Sequence, residues 1–113
     1  MKRTSQALAV AAAIAVFGQA TLAQDFQKGQ DAWIRGEYHK ALKEWLPLAE
    51  EGDVKVQMLV ARVYADDSVS DWEPNYEEAA KWYRLAAEQG NAEAQVKVGH
   101  NYRSGEGVQQ DYE

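Results

Sequence analysis

The residues best suited to chemistry lie in an acidic loop that begins at Asp66. Asp66, Ser68 and Ser70 are followed by Glu77 at the twelfth place, which is the ligand spacing of a calcium-binding loop. Asp71 stands where such a loop needs a glycine for its sharp bend, so the match is poor. The sequence therefore favours a solvated acidic loop over a calcium site.

The same loop carries an aromatic residue between two carboxylates. Trp72 could stack on a sugar ring while Asp71 and Glu73 bind hydroxyl groups, and paired carboxylates also hydrolyse glycosides. Two positions this close on one loop rarely face opposite sides of a bond, as hydrolysis requires. We expect Trp72 to fold onto the helices, and a glycan-binding or weakly hydrolytic loop over residues 66–73 is the alternative.

Other catalytic chemistry has little support in the sequence. His39 and His100 occupy different repeat positions and have no matching ligand set, and the absence of cysteine excludes disulfides and cysteine nucleophiles. Gly105-Glu106-Gly107 lacks the third glycine and the lysine of a phosphate loop, so a tight turn is favoured. No enzymatic activity, cofactor or metal is expected.

A repeat sets these residues in a regular architecture. The segment that begins at Tyr38 returns at Tyr76 with the same spacing, and the register continues from Gln57 into Gln95. A fixed period of this length indicates stacked units, because one unit cannot bury its apolar face alone. The matched positions are Ala41 and Ala79, Lys43 and Lys81, Trp45 and Tyr83, Ala49 and Ala87, Glu50 and Glu88, and Gly52 and Gly90.

Each unit is predicted to contain a first (A) and a second (B) helix. In the two matched segments that begin at Tyr38 and Tyr76, apolar residues three and four apart predict a B helix. Gly52 and Gly90 end these two helices. The segment 54–64 alternates as a strand would, but its register with 92–102 makes both of them A helices. The predicted caps are Asp53, Asn75 and Asn91, with Glu78 completing a capping box after Asn75.

Upstream, Phe26 to Arg35 is predicted to form one more helix, closed by Gly36. Pro47 should bend or tighten the helix around it, since proline removes a hydrogen bond there. Aromatic residues at helical packing positions are predicted to form the core rather than a cofactor site. They are Trp33, Trp45, Trp82, Tyr38, Tyr64, Tyr76, Tyr83 and Tyr102.

Two staggered copies of a longer motif cover roughly residues 36–113. Ala94-Gln95-x-x-Val98-Gly99-x-x-Tyr102-x-x-Gly105-x-Gly107-Val108-x-x-Asp111-Tyr112 resembles a Sel1-like repeat, and Ala79-x-x-Trp82-Tyr83-x-x-Ala86-Ala87-x-x-Gly90 resembles the second helix of that repeat. The resemblance implies an all-α fold: a right-handed αα-hairpin solenoid related to tetratricopeptide repeats. It also implies a role in binding other proteins, often in the bacterial envelope.

The sequence divides into four predicted segments. Residues 1–23 are predicted to be a signal peptide and 24–52 a capping helical hairpin, followed by repeat 1 at 53–90 and an incomplete repeat 2 at 91–113. The turn of repeat 1, at residues 65–74, departs from the family pattern by two extra residues. Since the chain stops where the next B helix should begin, a longer array is expected; a helix supplied by a partner chain is the alternative.

The first segment has the order of a secretory signal. Lys2 and Arg3 precede an uncharged run from Ala7 to Phe17 that is too short to span a bilayer, and small residues follow it. Cleavage is expected after Ala23, or alternatively after Ala20, and the periplasm is the expected location, with secretion as the alternative. Loss of two cations takes the formal charge of −6 to −8, which argues against nucleic acid and against membrane docking.

The predicted binding surface follows from helix geometry and from the resemblance. At about 100° per residue, Val96 and His100 lie opposite the packed ridge of Ala94 and Val98. In the arrays that this chain resembles, the A helices line the concave side, so these positions should form a groove floor for a protein partner; an ordinary solvated face is the alternative. The predicted partner-binding residues are Met58, Arg62, Val96, His100, Lys55, Glu93 and Arg103. The expected function is that of an exported, non-enzymatic interaction scaffold.

Overall fold

The computed structural model describes residues 23–104, and describes their side chains as far as residue 100. All five helices in this part of the chain pack in sequence, each against its neighbours along the chain, and the described residues include no strand. This confirms the predicted all-α helical repeat fold. The helices are α1 at residues 23–34, α2 at Tyr38–Glu50, α3 at Val54–Ala65, α4 at Tyr76–Glu88 and α5 at Ala92–Ser104.

Two predicted features, the signal peptide as far as residue 22 and the turn at residues 105–107, lie outside the described residues. Within them, α3 is a helix over its whole length, which confirms the assignment made from register. The helix α1 ends just before Gly36, as predicted. The helix α2 continues through Pro47 to Glu50, and the Glu51 N–H donates to the Pro47 carbonyl at 3.2 Å.

The turns between units form as the sequence predicts. Gly52 and Gly90 have φ angles of 105° and 94°, in the left-handed region that closes a helix C-terminus. The side chain of Asp53 then accepts from the Val56 N–H at 3.1 Å and caps α3. Asn91 does the same for α5, accepting from the Ala94 N–H at 2.9 Å.

Trp45 is the largest fully buried side chain and joins α1 to α2. Its indole Nε1–H donates to the Phe26 carbonyl at 3.0 Å, and its ring stacks on the Phe26 ring with centroids 6.0 Å apart. Gly29 faces the same indole, with no room for a side chain between the two. This contact fixes the first helix to the repeat units.

The aromatic core differs from its prediction at two positions. Trp45, Trp82 and Tyr83 are buried as expected. Trp33 and Tyr76, however, are 38% and 41% exposed, and both lie near the end of a helix. The side chain of Tyr102 lies outside the described ones. The buried core also contains Ala41, Leu42, Leu48, Val56, Val60, Ala61, Val63, Ala79, Ala86 and Ala94.

Candidate partner-binding surface

One side of α3 and α5 brings together several residues that the sequence assigned to partner binding. Lys55 and Arg62 are the exposed residues of α3, and they lie on the one arc of that helix which its neighbours leave open. Glu93 and His100 are exposed on α5. We call these four residues the charged strip.

An ion pair connects the two helices across the strip. Arg62 Nη2 donates to both carboxylate oxygens of Glu93 at 2.7 Å, although the two residues lie in successive repeats. The side chains are 46% and 51% exposed, so the pair contributes little to stability, as is usual for surface ion pairs. The pair nevertheless joins a side chain of α3 to one of α5.

The charges around this pair are well defined. Hydrogen bonds and the nearby charge of Arg62 hold the pKa of Glu93 below its usual range, so Glu93 stays ionised at neutral pH. Burial raises the pKa of Tyr83 on α4. The nearby charge of Arg62 lowers this pKa, and that of Glu93 raises it. The strip therefore presents fixed opposite charges.

Met58 corrects the predicted groove floor. Its side chain is only 4% exposed and belongs to the hydrophobic core, so it is not available on the surface. Val96, one repeat later at the same register, is 68% exposed. Helix geometry placed the two residues at equivalent angles, but α3 packs extensively on both α2 and α4, whereas α4 is the one described helix on which α5 packs extensively.

Two other predicted residues complete the comparison. Lys55 places its Nζ 5.6 Å from the centroid of the Phe26 ring, which ties it to α1 as well as to the strip. The side chain of Arg103 lies outside the described ones. The structure thus groups Arg62, Glu93, His100 and Lys55 and separates Met58 from them.

The acidic loop forms a second feature, beside the start of α2. Trp72 is half-buried against aromatic rings, with centroids 5.6 Å from Tyr38, 4.9 Å from His39 and 6.3 Å from Tyr64. Folding of Trp72 onto the helices is therefore confirmed. A pocket of about 400 Å³ remains between the loop and α2, lined by Gly36, Glu37, Tyr38, His39, Lys40, Asp71 and Trp72.

Hydrogen bonds from protein donors occupy Asp66, the first residue of the calcium-like spacing. One carboxylate oxygen accepts from the Tyr38 hydroxyl at 2.6 Å, and the other accepts from the N–H and hydroxyl of Ser68. These bonds hold the pKa of Asp66 below its usual range, Ser68 having the larger effect. In the part of the chain that the structure describes, no group of three potential ligands is close enough to hold a metal.

The loop ends differently from the predicted capping box. Asn75 caps α4 as expected, since its side chain accepts from the Glu78 N–H at 3.1 Å. A capping box also needs Glu78 to accept from the Asn75 N–H. That N–H instead donates to the Tyr64 carbonyl at 2.7 Å, so the bond fixes the end of the loop to α3. The capping-box prediction is wrong in this half.

A ladder of side-chain amides between repeats was not foreseen. Buried Gln57 donates to the Ala49 carbonyl at 3.0 Å, and its Oε1 accepts from Gln89 Nε2 at 3.0 Å. Gln89 also donates to the Gly52 carbonyl at 3.0 Å. One repeat later, Gln95 donates to the Ala87 carbonyl at 3.3 Å. The shared register of Gln57 and Gln95 was the available sequence signal.

Comparison with known families agrees with this repeat geometry. The family model described as Sel1 repeat matches residues 57–91 and 92–113. The chain belongs to the Sel1 repeat family. Sel1 repeats are typically protein–protein interaction modules, and the general assignment of an interaction protein follows from that membership. No curated protein gave a significant match to the chain.

Between residues 23 and 104, none of the helices is sufficiently long and apolar to cross a bilayer.

Proposed function

We propose that this Sel1 repeat protein is an exported, non-enzymatic scaffold that binds a protein partner along the charged strip of α3 and α5. The observation that carries the proposal is the Arg62–Glu93 ion pair, which joins the exposed arcs of two successive A helices into one surface. Membership of the Sel1 repeat family supports a protein partner, and the charged strip is the surface that we propose it binds.

The charged strip would bind a partner through charges on an ordered backbone rather than through burial of apolar surface. The buried residues under the strip hold its backbone in place, so a partner would lose little free energy in ordering it. Exposed charges of both signs favour correct orientation and fast association more than high affinity. We therefore expect a partner with complementary charges and binding that weakens as salt is added.

Export is a separate part of the proposal and is tested separately. Lys2 and Arg3, followed by the apolar run, motivate it. Intact mass spectrometry of the protein recovered from the periplasm should show an N-terminus at Gln24, or at Thr21 for the alternative cleavage. A cytoplasmic protein that still carries Met1 would contradict export.

The strip is tested by crosslinking in cells. Crosslinking of the wild-type protein first identifies a protein that is captured repeatedly. A variant with Arg62→Ala and His100→Ala should then lose about tenfold in capture of that protein, the effect of removing one or two important interface side chains. Both residues are exposed, so circular dichroism and the melting temperature should stay nearly unchanged. Arg84→Ala, which removes an exposed cation from α4, is the matched control and should leave capture intact.

The pocket beside Trp72 favours a second candidate function, glycan binding. Its aromatic lining, with Asp71 at the rim, suits a sugar ring and its hydroxyl groups. If a soluble chito-oligosaccharide changes tryptophan fluorescence in the wild type but not in Trp72→Phe, and capture survives the strip variant, the strip assignment is wrong. The scaffold proposal expects no such response.

A further inference from the structure

The acidic loop at residues 66–73 carries negative charge that no ion pair offsets. It contains no lysine or arginine, and its four carboxylates are those of Asp66, Asp67, Asp71 and Glu73. None of the ion pairs among the described residues involves one of these carboxylates. Asp66 is held instead by the hydroxyl groups of Tyr38 and Ser68. The loop therefore presents negative charge beside the start of α2.

One of these carboxylates, that of Asp71, lies at the pocket between the loop and α2. The volume of this pocket, about 400 Å³, is in the range of small-ligand sites. The other carboxylate in the lining, that of Glu37, already pairs with Lys40 and Arg35. The same pairing offsets the charge of Lys40, which also lines the pocket. Among the described residues, Asp71 is therefore the lining charge that has no ion-pair partner.

One wall of the pocket is aromatic. Tyr38, His39 and Trp72 all line it, and the Trp72 ring makes edge contacts with the other two, with centroids 5.6 Å and 4.9 Å apart. Aromatic rings attract cations through the negative charge on their faces, and arginine is the side chain most often bound in this way. A guanidinium group also stacks on rings and forms two parallel hydrogen bonds to a carboxylate. Rings beside an unpaired carboxylate therefore suit a guanidinium group.

Both ends of the described chain lie away from this pocket. Ala23, at the start of α1, lies beside Leu48, which is about 15 Å along α2 from Tyr38. At the other end of the described chain, α5 packs on α4. The pocket is therefore formed by residues that the structure describes, and its shape does not depend on a neighbouring element outside them.

We propose that the pocket between the acidic loop and α2 binds the guanidinium group of an arginine side chain on a protein partner. The group would lie against the rings of Trp72 and Tyr38 and pair with Asp71. A neutral sugar would leave Asp71 without a counter-charge, so glycan binding is the competing outcome. The proposal rests on the proposed function only in taking the arginine from a protein, and the pocket shares no residue with the charged strip.

The probe is a tripeptide with blocked ends, acetyl-Gly-Arg-Gly-amide, added to the intact ¹⁵N-labelled protein. The four tryptophans give four indole N–H signals, and the signal that is lost in Trp72→Phe belongs to Trp72. This signal should shift saturably, with a Kd on the order of 1 mM for a single anchored side chain. A citrulline peptide, which has the same shape without the charge, should bind at least tenfold more weakly. A lysine peptide should bind about threefold more weakly, because an ammonium group lacks the planar fork of arginine.

Variants of the loop locate the binding. Asp71→Asn should weaken binding of the arginine peptide about fivefold, the upper range for an exposed ion pair. Asp67→Asn is the matched control, since Asp67 carries the same charge in the same loop and is also exposed, but does not line the pocket. It should change binding by less than about twofold, because salt screens a charge that makes no contact. Circular dichroism and the melting temperature of both variants should match those of the wild type.

The proposal fails if the arginine peptide causes no saturable shift of the Trp72 signal, or if the citrulline peptide binds equally well. Equal weakening by Asp71→Asn and Asp67→Asn would mean diffuse attraction to the acidic loop and would also overturn it. A shift caused by a chito-oligosaccharide but not by the arginine peptide would assign the pocket to a sugar. The variant with Arg62→Ala and His100→Ala should bind the peptide as the wild type does, so failure of the charged strip and failure of the pocket give different results.

Discussion

Replacing Trp45 by alanine is expected to lower the free energy of unfolding by about 3–5 kcal/mol, the usual cost of truncating a large buried aromatic residue. Trp45 has no exposed surface, and its indole fills the contact between α1 and α2. The substitution also removes the hydrogen bond that the Trp45 indole donates to the Phe26 carbonyl of α1. Both effects act on the same contact, which should leave α1 poorly attached.

Urea unfolding followed by circular dichroism measures this loss, and Trp33→Ala is the matched control. Trp33 lies 6.4 Å from Trp45 between ring centroids but is 38% exposed, so its removal should cost about 1 kcal/mol. Equal losses in the two variants would contradict the assignment of Trp45 as the main contact between α1 and the repeats.

The parts of the fold that local sequence determines were predictable. Glycine followed by aspartate or asparagine at the end of each B helix is a local signal, and both turns form with the predicted cap. The helical state of α3 was ambiguous from its own residues, and repetition of the pattern resolved it. Local chemistry and internal comparison therefore accounted for the helices and their order.

Exposure was predicted less well, because it depends on neighbours that a helical wheel does not include. Met58 and Val96 have the same angular position, yet Met58 is buried and Val96 is exposed. A helix in the interior of an array is covered on two sides, so a wider arc becomes core. Sequence periodicity gives the side that packs within a unit and says little about the side that packs between units.

The candidate sites were predictable to different extents. Trp72 was expected to pack on the helices, and it does, but the pocket that remains beside it depends on how the loop meets α2. The Arg62–Glu93 pair joins residues of two repeats, so it required the relative placement of α3 and α5. The hydrogen bond from the Asn75 N–H to the Tyr64 carbonyl is likewise a tertiary contact, and it displaced the capping box suggested by local spacing.

Gly29→Ala and Gly99→Ala should change stability in opposite directions, although both place alanine within a helix. Alanine is favoured over glycine in a helix by about 1 kcal/mol. At Gly99, a Cβ meets nothing within 4 Å among the residues that the structure describes, so a gain of about 0.5–1 kcal/mol is expected. At Gly29, a Cβ would lie 2.1 Å from Trp45 Nε1 and 2.4 Å from its Cδ1, far closer than atoms can pack.

The Gly29 variant should therefore lose about 1–3 kcal/mol through overpacking, since the rigid indole of Trp45 has no exposed surface into which it can move. Thermal and urea unfolding measure both variants, and a double-mutant cycle identifies the cause. In a Trp45→Ala background the clash is absent, so Gly29→Ala should become neutral or stabilising there, as Gly99→Ala is in the wild type. If Gly29→Ala is equally harmful with and without Trp45, its cost arises elsewhere, and the close contact between α1 and the indole is not what selects glycine at this position.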